Sequence, residues 1–446
     1  MTGFKAKRQP VHRGPAGWNT ILGPQDAPAE LTQDTTADFV VIGAGFAGMA
    51  AARRLVELTP DSRVIVLDAG RVAEGASGRN SGFMIDLPHE LTSEDYAGAG
   101  DDKKMIALNR EAIKFIGNAV ERYHIDPNYF DPTGKVNGAA SDAALRHNAS
   151  YAEHLRLLGE ECELLDAKQM HEVTGSPHYL GGLFTPGTVM LQPAGIMRGM
   201  AKGLARDGVA LFENSPVTEI TKNGAGWHVK TAKAKISAAK VILTVNGHLE
   251  SFGVERGKLM QLFLFATMTP ELDVDTLKNL GGQSRWGITP SDPMGTTMRR
   301  IDAGQGGNRI VTRTCAVVRP NMQTRENDLK RAKTVMQQKF DQRFPQLAGM
   351  KMEHSWAGHL CLSLNGVSVA REIDTGVYSG CVQNGLGTAR GTLTGITAAE
   401  LAVGVQSDIS DHFSAEIPLK PLLPEPLFSL GANAVIRHRE WKARSE

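Results

Sequence analysis

Apolar positions follow two periods along the chain, and the switches between them mark out the elements. Residues 39–42 and 64–67 are short unbroken apolar runs, as buried parallel strands are, and residues 50–58 between them read as a helix. From residue 101, Met105, Leu108, Ala112, Ile116, Ala119 and Tyr123 recur at three and four residues, which predicts a long helix with one buried face. Residues 128–140 read as a strand pair turning at 132–134, residues 143–158 as a second amphipathic helix, and residues 164–173 as a short helix. An extended run over 181–194 leads through Pro193 into a helix over 196–207, capped by Gly208 and followed by a strand at 209–212. Residues 241–249 read as a further strand ending in a turn. The pieces LFLFATM, GTTMRRI and NRIVTRT within 259–319 alternate as an antiparallel sheet does. A charged amphipathic helix over 324–344, a strand within HSWAGHLCLSLNGVSVA from His354, and a strand, glycine turn and helix over 378–395 complete the pattern.

The ends lack such a period. Residues 1–36 and 406–446 each hold four prolines, and read as an N-terminal arm and a C-terminal surface segment. GPAGWNTIL in the arm brings Trp18 and Ile21 to pack either on the body or on a neighbouring subunit of a homo-oligomer.

The chemistry starts where the first strand meets the first helix. Gly43, Gly45 and Gly48 form G-x-G-x-x-G, and Asp68 ends the next strand 20 residues after Gly48. A dinucleotide needs this arrangement: a tight turn at Gly43, a bare approach for the pyrophosphate at Gly45, close packing at Gly48, and an acid for the adenosine ribose. The alternative is a tight turn with no ligand. The next loop, RVAEGASGRNSG over 71–82, carries Ser77, Arg79, Asn80 and Ser81, small and polar residues suited to running past a pyrophosphate towards a flavin ring.

On the triplet, Asp68 and EGASGRNSG, the chain resembles the D-amino-acid-oxidase-like FAD oxidoreductases over roughly residues 37–404. Its phrasing is most similar to their γ-glutamylputrescine, L-pipecolate, glycine and sarcosine oxidase group. The resemblance implies an α/β two-domain flavoprotein: a Rossmann-like FAD domain over 37–100, 190–255 and 355–405, and an interleaved mixed or antiparallel-sheet substrate domain over 101–189 and 256–354. Implied FAD contacts are Gly43, Gly45, Phe46, Ala47, Gly48, Asp68, Ala69, Arg71, Gly75, Ala76, Ser77, Arg79, Asn80, Ser81, Gly82, Val217, Thr244, Asn246, Gly247, Gly385, Leu386, Gly387 and Thr388. Relatives that bind flavin covalently do so through a cysteine whose position here holds Gly358, with Cys361 displaced by three residues, so FAD is expected to be non-covalent. Several relatives also place a substrate-binding lysine where this chain has Ala389, which leaves Arg390 as the nearest substitute. Arg299 and Arg300 lie on a strand that in relatives faces the substrate, where a guanidinium fork suits a carboxylate. Alternation lets only one of the two face inward, and both can equally be solvated charges on the sheet surface.

Composition narrows the partners. A net charge of +1 with both signs interspersed argues against nucleic acid and against an anionic membrane surface. The four cysteines form no C-x-x-C pair, so neither a zinc site nor a disulfide framework is indicated, and no metal is expected. No apolar stretch has the length of a signal segment or a membrane span, and the cytoplasm is the expected location. The expected activity is oxidation of a C–N bond in an amine or amino acid: hydride passes to flavin N5, the imine is hydrolysed, and oxygen or another acceptor reoxidises the flavin. No general base is required, although His248, His359 and His89 fall near expected flavin contacts. Two alternatives stand beside it, a dehydrogenase of a hydroxy acid or methylated amine feeding a carrier, and a non-catalytic flavin-containing subunit of a complex.

Overall fold

The computed structural model describes residues 3–88 and 102–446, whose strands sort into sheets of nine, eight and three. The unbroken apolar runs form the centre of the largest sheet. Ala210–Phe212, Val64–Leu67, Thr35–Ile42, Lys235–Leu243 and Val377–Cys381 lie side by side, all parallel. Every residue of Val64–Leu67 is buried, as expected where helices cover both faces. The helices Phe46–Leu58 and Ala389–Val403 meet at Gly395, where a Cβ would stand 2.1 Å from the Ala47 carbonyl oxygen. Only a residue without a side chain permits that approach.

An antiparallel ribbon extends this sheet through Gly226–Lys230 and Glu219–Asn223 to Gly3–Lys5. The N-terminal arm therefore returns to its own body. Trp18 is fully buried, and its indole N–H donates to the Asn80 carbonyl at 2.8 Å.

The eight-stranded sheet runs in the order His354–Ser363, Leu259–Met268, Arg309–Val318, Thr297–Ile301, Trp286–Pro290, Lys135–Ala139, Gly181–Thr185, Glu163–Asp166. Neighbours are antiparallel except for Trp286–Pro290 beside Lys135–Ala139, so the sheet is mixed. The architecture is thus the α/β two-domain one, a Rossmann-like sheet with an interleaved mixed sheet. His354–Ser363 pairs along its whole length with Leu259–Met268 and so belongs to the eight-stranded sheet.

Two local expectations fail for identifiable reasons. Phe130–Asp131 and Lys135–Ala139 do not pair with each other. Gly134, at φ 74°, turns the chain out of the three-stranded sheet into the eight-stranded one. Residues 164–173 split into a strand, Glu163–Asp166, and a helix, Ala167–Thr174, because Asp166 and Gln169 close a capping box at the junction. The C-terminal segment holds two helices, Asp408–Ser414 and Leu427–Lys442. The second lays a half-buried stripe of Phe428, Ala432 and Ile436 against Leu262, Ala316 and Val318, and polar contacts fix it there: Asn433 Oδ1 and Glu440 Oε1 each accept a backbone N–H from Arg309–Val318, at 2.9 Å.

Candidate active site

The three glycines of the first turn do three different things. Gly43 adopts φ 108°, a conformation L side chains rarely reach, and its N–H donates to the Leu67 carbonyl at 2.8 Å. At Gly48 a Cβ would lie 1.7 Å from the Gly43 carbonyl oxygen, so this position sets how closely helix and strand pack. Gly45 has extended backbone, and a Cβ there would meet nothing nearer than Ser77 Cβ at 3.8 Å. The fold itself has no need of glycine at 45. It opens onto a cavity at the N-terminus of Phe46–Leu58, whose first turn no side chain caps among the described residues. That is where backbone N–H groups and the helix dipole receive a phosphate.

Asp68 is held in place by backbone: Oδ2 accepts the Ala44 N–H at 2.7 Å and Oδ1 the Gly70 N–H at 2.9 Å. Burial pushes its pKa up to about 6 against the pull of those two bonds, with Glu213 adding to the rise. Glu213, which the motif does not announce, accepts the Val72 N–H at 2.6 Å and pairs with Arg71 at 3.0 Å, tying the start of the 71–82 loop to the sheet.

A cavity of about 310 Å³ extends from this turn. Of the expected FAD contacts, Gly43, Gly45, Phe46, Ala47, Asp68, Ala69, Arg71, Gly75, Ala76, Ser77, Arg79, Asn80, Ser81, Val217, Thr244, Asn246, Gly385 and Gly387 line it. Leu386 and Thr388 line instead an adjoining cavity of about 140 Å³, which shares Asn80, Ser81, Arg313, Gly385 and Gly387 with the first. Gly48, Gly82 and Gly247 line neither. A Cβ on Gly82 would strike the Arg299 guanidinium at 2.0 Å, and one on Gly247 the Gln261 side chain at 2.5 Å, so both are packing positions. Gly387 has nothing within 4 Å of an added Cβ. With Gly45 it makes a bare-walled cradle that fits a dinucleotide running from the phosphate turn to the 385–388 turn. The helix Ala389–Val403 that follows starts without a side-chain cap, its Thr388 hydroxyl donating to the Phe83 carbonyl at 2.8 Å.

Three histidines meet in the larger cavity. His248 and His359 stand 5.3 Å apart between ring centroids, His359 bonds Gln261 Oε1 at 2.9 Å, and His12 of the arm joins them. Burial is the main cause that lowers all three, His12 and His248 to about 4 and His359 to about 3, with neighbouring cations and histidines adding to it. They are neutral at pH 7. His89 lies outside the described residues. Gly358 lines the cavity while Cys361 does not. Cys361 is fully buried, and burial pushes its thiol well above the ordinary range.

The arginines sort differently from expectation. Arg299 is inward but sealed: it donates to the Gly82 carbonyl at 3.1 Å, to the Leu191 carbonyl and to Gln305 Oε1 at 3.0 Å, under the Trp18 ring at 4.9 Å. Arg300 donates to the Gly281 carbonyl, and Arg390 is paired with Glu416 at 2.9 Å. None of the three lines either cavity. The arginine common to both cavities is instead Arg313, on the neighbouring strand. Enclosure by protein lowers its pKa to about 10, and among the described residues nothing is bonded to its guanidinium. The only hint in the sequence is its presence in NRIVTRT, one of the alternating strands.

Fold and site together define a dinucleotide-dependent oxidoreductase with a small-molecule cavity beside the cofactor cradle. The family model for FAD dependent oxidoreductases (DAO) matches residues 38–401, and the chain belongs to that family, with FAD as its cofactor. It is 28% identical over 401 residues to a probable oxidoreductase, OrdL, of Haemophilus influenzae, covering 87% of this chain and 88% of that one. It is 25% identical over 410 residues to the gamma-glutamylputrescine oxidoreductase of Escherichia coli, covering 90% and 92%. It shares its fold with the glycine oxidase of Geobacillus kaustophilus, at a TM-score of 0.67 and 16% identity, over 83% of this chain and 96% of that one. Among the described residues no helix is long and apolar enough to cross a membrane.

Proposed function

We propose that this enzyme oxidises a C–N bond in an amine or amino acid that carries a carboxylate, and that Arg313 holds the carboxylate. The observation that carries the reading is the Arg313 guanidinium, enclosed, common to both cavities and without a counter-charge among the described residues. A half-buried fork of N–H donors favours an anion that can take two of them at once. Bound non-covalently in the larger cavity, FAD supplies the acceptor for the two electrons that leave the carbon beside nitrogen. Arg313 fixes the substrate's orientation, and Phe83, Ile85 and Leu87 in the smaller cavity's wall exclude water from it.

The walls also act on the amine's proton. Among the described residues no Asp or Glu lines the smaller cavity, whereas Lys135 and Arg313 do, so an ammonium there would face like charge and none of these residues as counter-ion. The neutral amine is favoured without a dedicated base. The carbon then gives up a hydrogen with two electrons and the nitrogen a proton, leaving an imine that water hydrolyses. Oxygen or another acceptor takes the electrons onward. The four thiols are unpaired, as in a protein kept in a reducing compartment, and we place its work in the cytoplasm.

The test is anaerobic mixing of the holoenzyme with γ-glutamyl amides, N-alkyl and cyclic amino acids, uncharged amines and 2-hydroxy acids, read as flavin bleaching. Carboxylate-bearing amines are expected to bleach it, and Arg313→Met to lower kcat/KM by an amount equivalent to ~2–5 kcal/mol. Bleaching by 2-hydroxy acids alone would move the chemistry to a C–O bond. Uncharged amines reacting equally well with Arg313→Met and wild type would remove the carboxylate from the reading.

A further inference from the structure

The smaller cavity holds a second cation that amine oxidation does not call for. Lys135 opens the strand Lys135–Ala139, Asn137 follows on the same face two residues on, and Thr289 is Asn137's register partner on Trp286–Pro290. All three line the cavity. Lys135 Nζ donates to Asn137 Oδ1 and, at 3.3 Å, to Thr289 Oγ1, while Thr289 donates to Asn137 Oδ1 at 2.7 Å. An ammonium has three N–H groups, and among the described residues the third has no acceptor.

The charge is as poorly compensated as the third N–H. Lys135 is only 6% exposed, and burial brings its pKa down to about 8, with Asp86 the one charge among the described residues acting to hold it up. Asp86 does not pair with it: Oδ2 bonds Arg110 at 3.0 Å, Oδ1 has no hydrogen-bond partner, and among the described residues the carboxylate forms no ion pair with Lys135. Burying an ammonium without a counter-charge is unfavourable, and a ligand anion would offset that. Lys135 and Arg313 stand on strands separated by two others in the sheet, Trp286–Pro290 and Thr297–Ile301, so the cavity's two cations are separate sites, with Phe83, Ile85, Leu87 and Pro293 supplying apolar wall.

We propose that Lys135, held in position by Asn137 and Thr289, forms a second anion subsite that takes a distal carboxylate of the substrate, so that the enzyme selects substrates carrying two carboxylates. This rests on the reading of Arg313 as holder of the first carboxylate. One carboxylate on each cation turns an apolar-walled slot into a length gauge, accepting chains whose two anionic ends match the separation of the sites and leaving shorter acids with one cation unpaired. Discrimination of this kind is strong because the penalty falls on a buried group left without its partner.

The experiment needs no turnover. The holoenzyme is titrated with glutarate against pentanoate and with adipate against hexanoate, and binding is read from the perturbation of the visible flavin spectrum. At least one diacid is expected to bind tenfold or more tightly than the monoacid of the same carbon number. In Lys135→Met that ratio is expected to fall towards one, and in Arg313→Met both classes are expected to weaken. A ratio near one in the wild type, which requires no variant to fold, overturns the proposal. So does a Lys135→Met protein that keeps the wild-type ratio, or the absence of binding by either class. If no amine bleaches the flavin while the Lys135-dependent diacid preference persists, the subsite stands and the amine chemistry falls.

Discussion

Gly45→Val separates what the cofactor needs from what the fold needs. The backbone at 45 is extended, with φ −86° and ψ −168°, a region open to any L residue. The new Cβ would have 3.8 Å of clearance to Ser77, so the cost to the apoprotein is confined to the poorer N-cap, about 1 kcal/mol. Gly48→Ala is the contrast: its Cβ would sit 1.7 Å from the Gly43 carbonyl oxygen and 2.8 Å from the Gly43 carbonyl carbon. Relieving that clash moves the helix off the strand, an overpacking cost of ~1–3 kcal/mol or more. For FAD the order inverts, because the valine side chain stands in the space a pyrophosphate would occupy. A loss of ~3 kcal/mol corresponds to a factor of more than 100 in Kd. The assay pairs the flavin-to-protein ratio after purification with FAD titration and thermal unfolding of the apoprotein. Gly45→Val is expected to be colourless and folded, its apoprotein Tm within about 4 °C of wild type. Gly48→Ala is expected to melt lower. A yellow, FAD-saturated Gly45→Val, or one that destabilises the apoprotein as much as Gly48→Ala does, would refute this account of the turn.

Acid or heat denaturation followed by filtration should carry the flavin into the filtrate, since Gly358 and not Cys361 faces the cavity; colour kept on the denatured chain would show a covalent bond. Arg299→Met should lower Tm by an amount equivalent to ~3–5 kcal/mol, because it strips a buried cation from the Gly82 and Leu191 carbonyls and Gln305, while KM stays near wild type; a raised KM at unchanged Tm would return Arg299 to the substrate. His12, His248 and His359 have folded pKa values of about 3 to 4, below the unfolded 6.5, so the unfolded chain takes up protons first on acidification. The stability of the apoprotein should therefore fall from pH 6.5 towards pH 4. Apoprotein melts that are flat over that window would show that these rings are not held neutral.

The cofactor half of the molecule was legible because its requirements are local. A glycine at φ 108°, a glycine in contact with a carbonyl and an acid 20 residues on are dictated within one βαβ unit, and Val64–Leu67 ends where its apolar run ends. His12 and Glu213 stayed out of sight because each reaches the site from a segment with no motif of its own. His12 arrives on an arm without periodicity. Glu213 is a single acid after a three-residue strand, and only the fold brings it to Arg71.

The substrate side shows where period-two reasoning stops. Alternation correctly allows only one of Arg299 and Arg300 on a given face, but every residue of Thr297–Ile301 is buried, so facing inward is no longer the same as facing the site. Arg299 is spent on carbonyls of Gly82 and Leu191, which tie the 71–82 loop and the strand Val189–Leu191 to the sheet. One strand over, pairing with Leu259–Met268 shifts between Leu264 and Phe265, opposite Cys315 at φ 65°. A bulge of this kind bends the strand and re-aims the side chains beside it. Arg313 lies two residues before it, in register with Ala266 and Thr297, and Leu264, Phe265 and Ala266 line the larger cavity with it. An irregularity that no apolar period encodes thus accompanies the one cavity arginine that, among the described residues, the packing leaves without a partner. Among arginines on adjacent strands of one buried sheet, the informative property is therefore which guanidinium the protein has not already satisfied, and that is settled by partners far away in sequence, from Gly82 for Arg299 to Glu416 for Arg390.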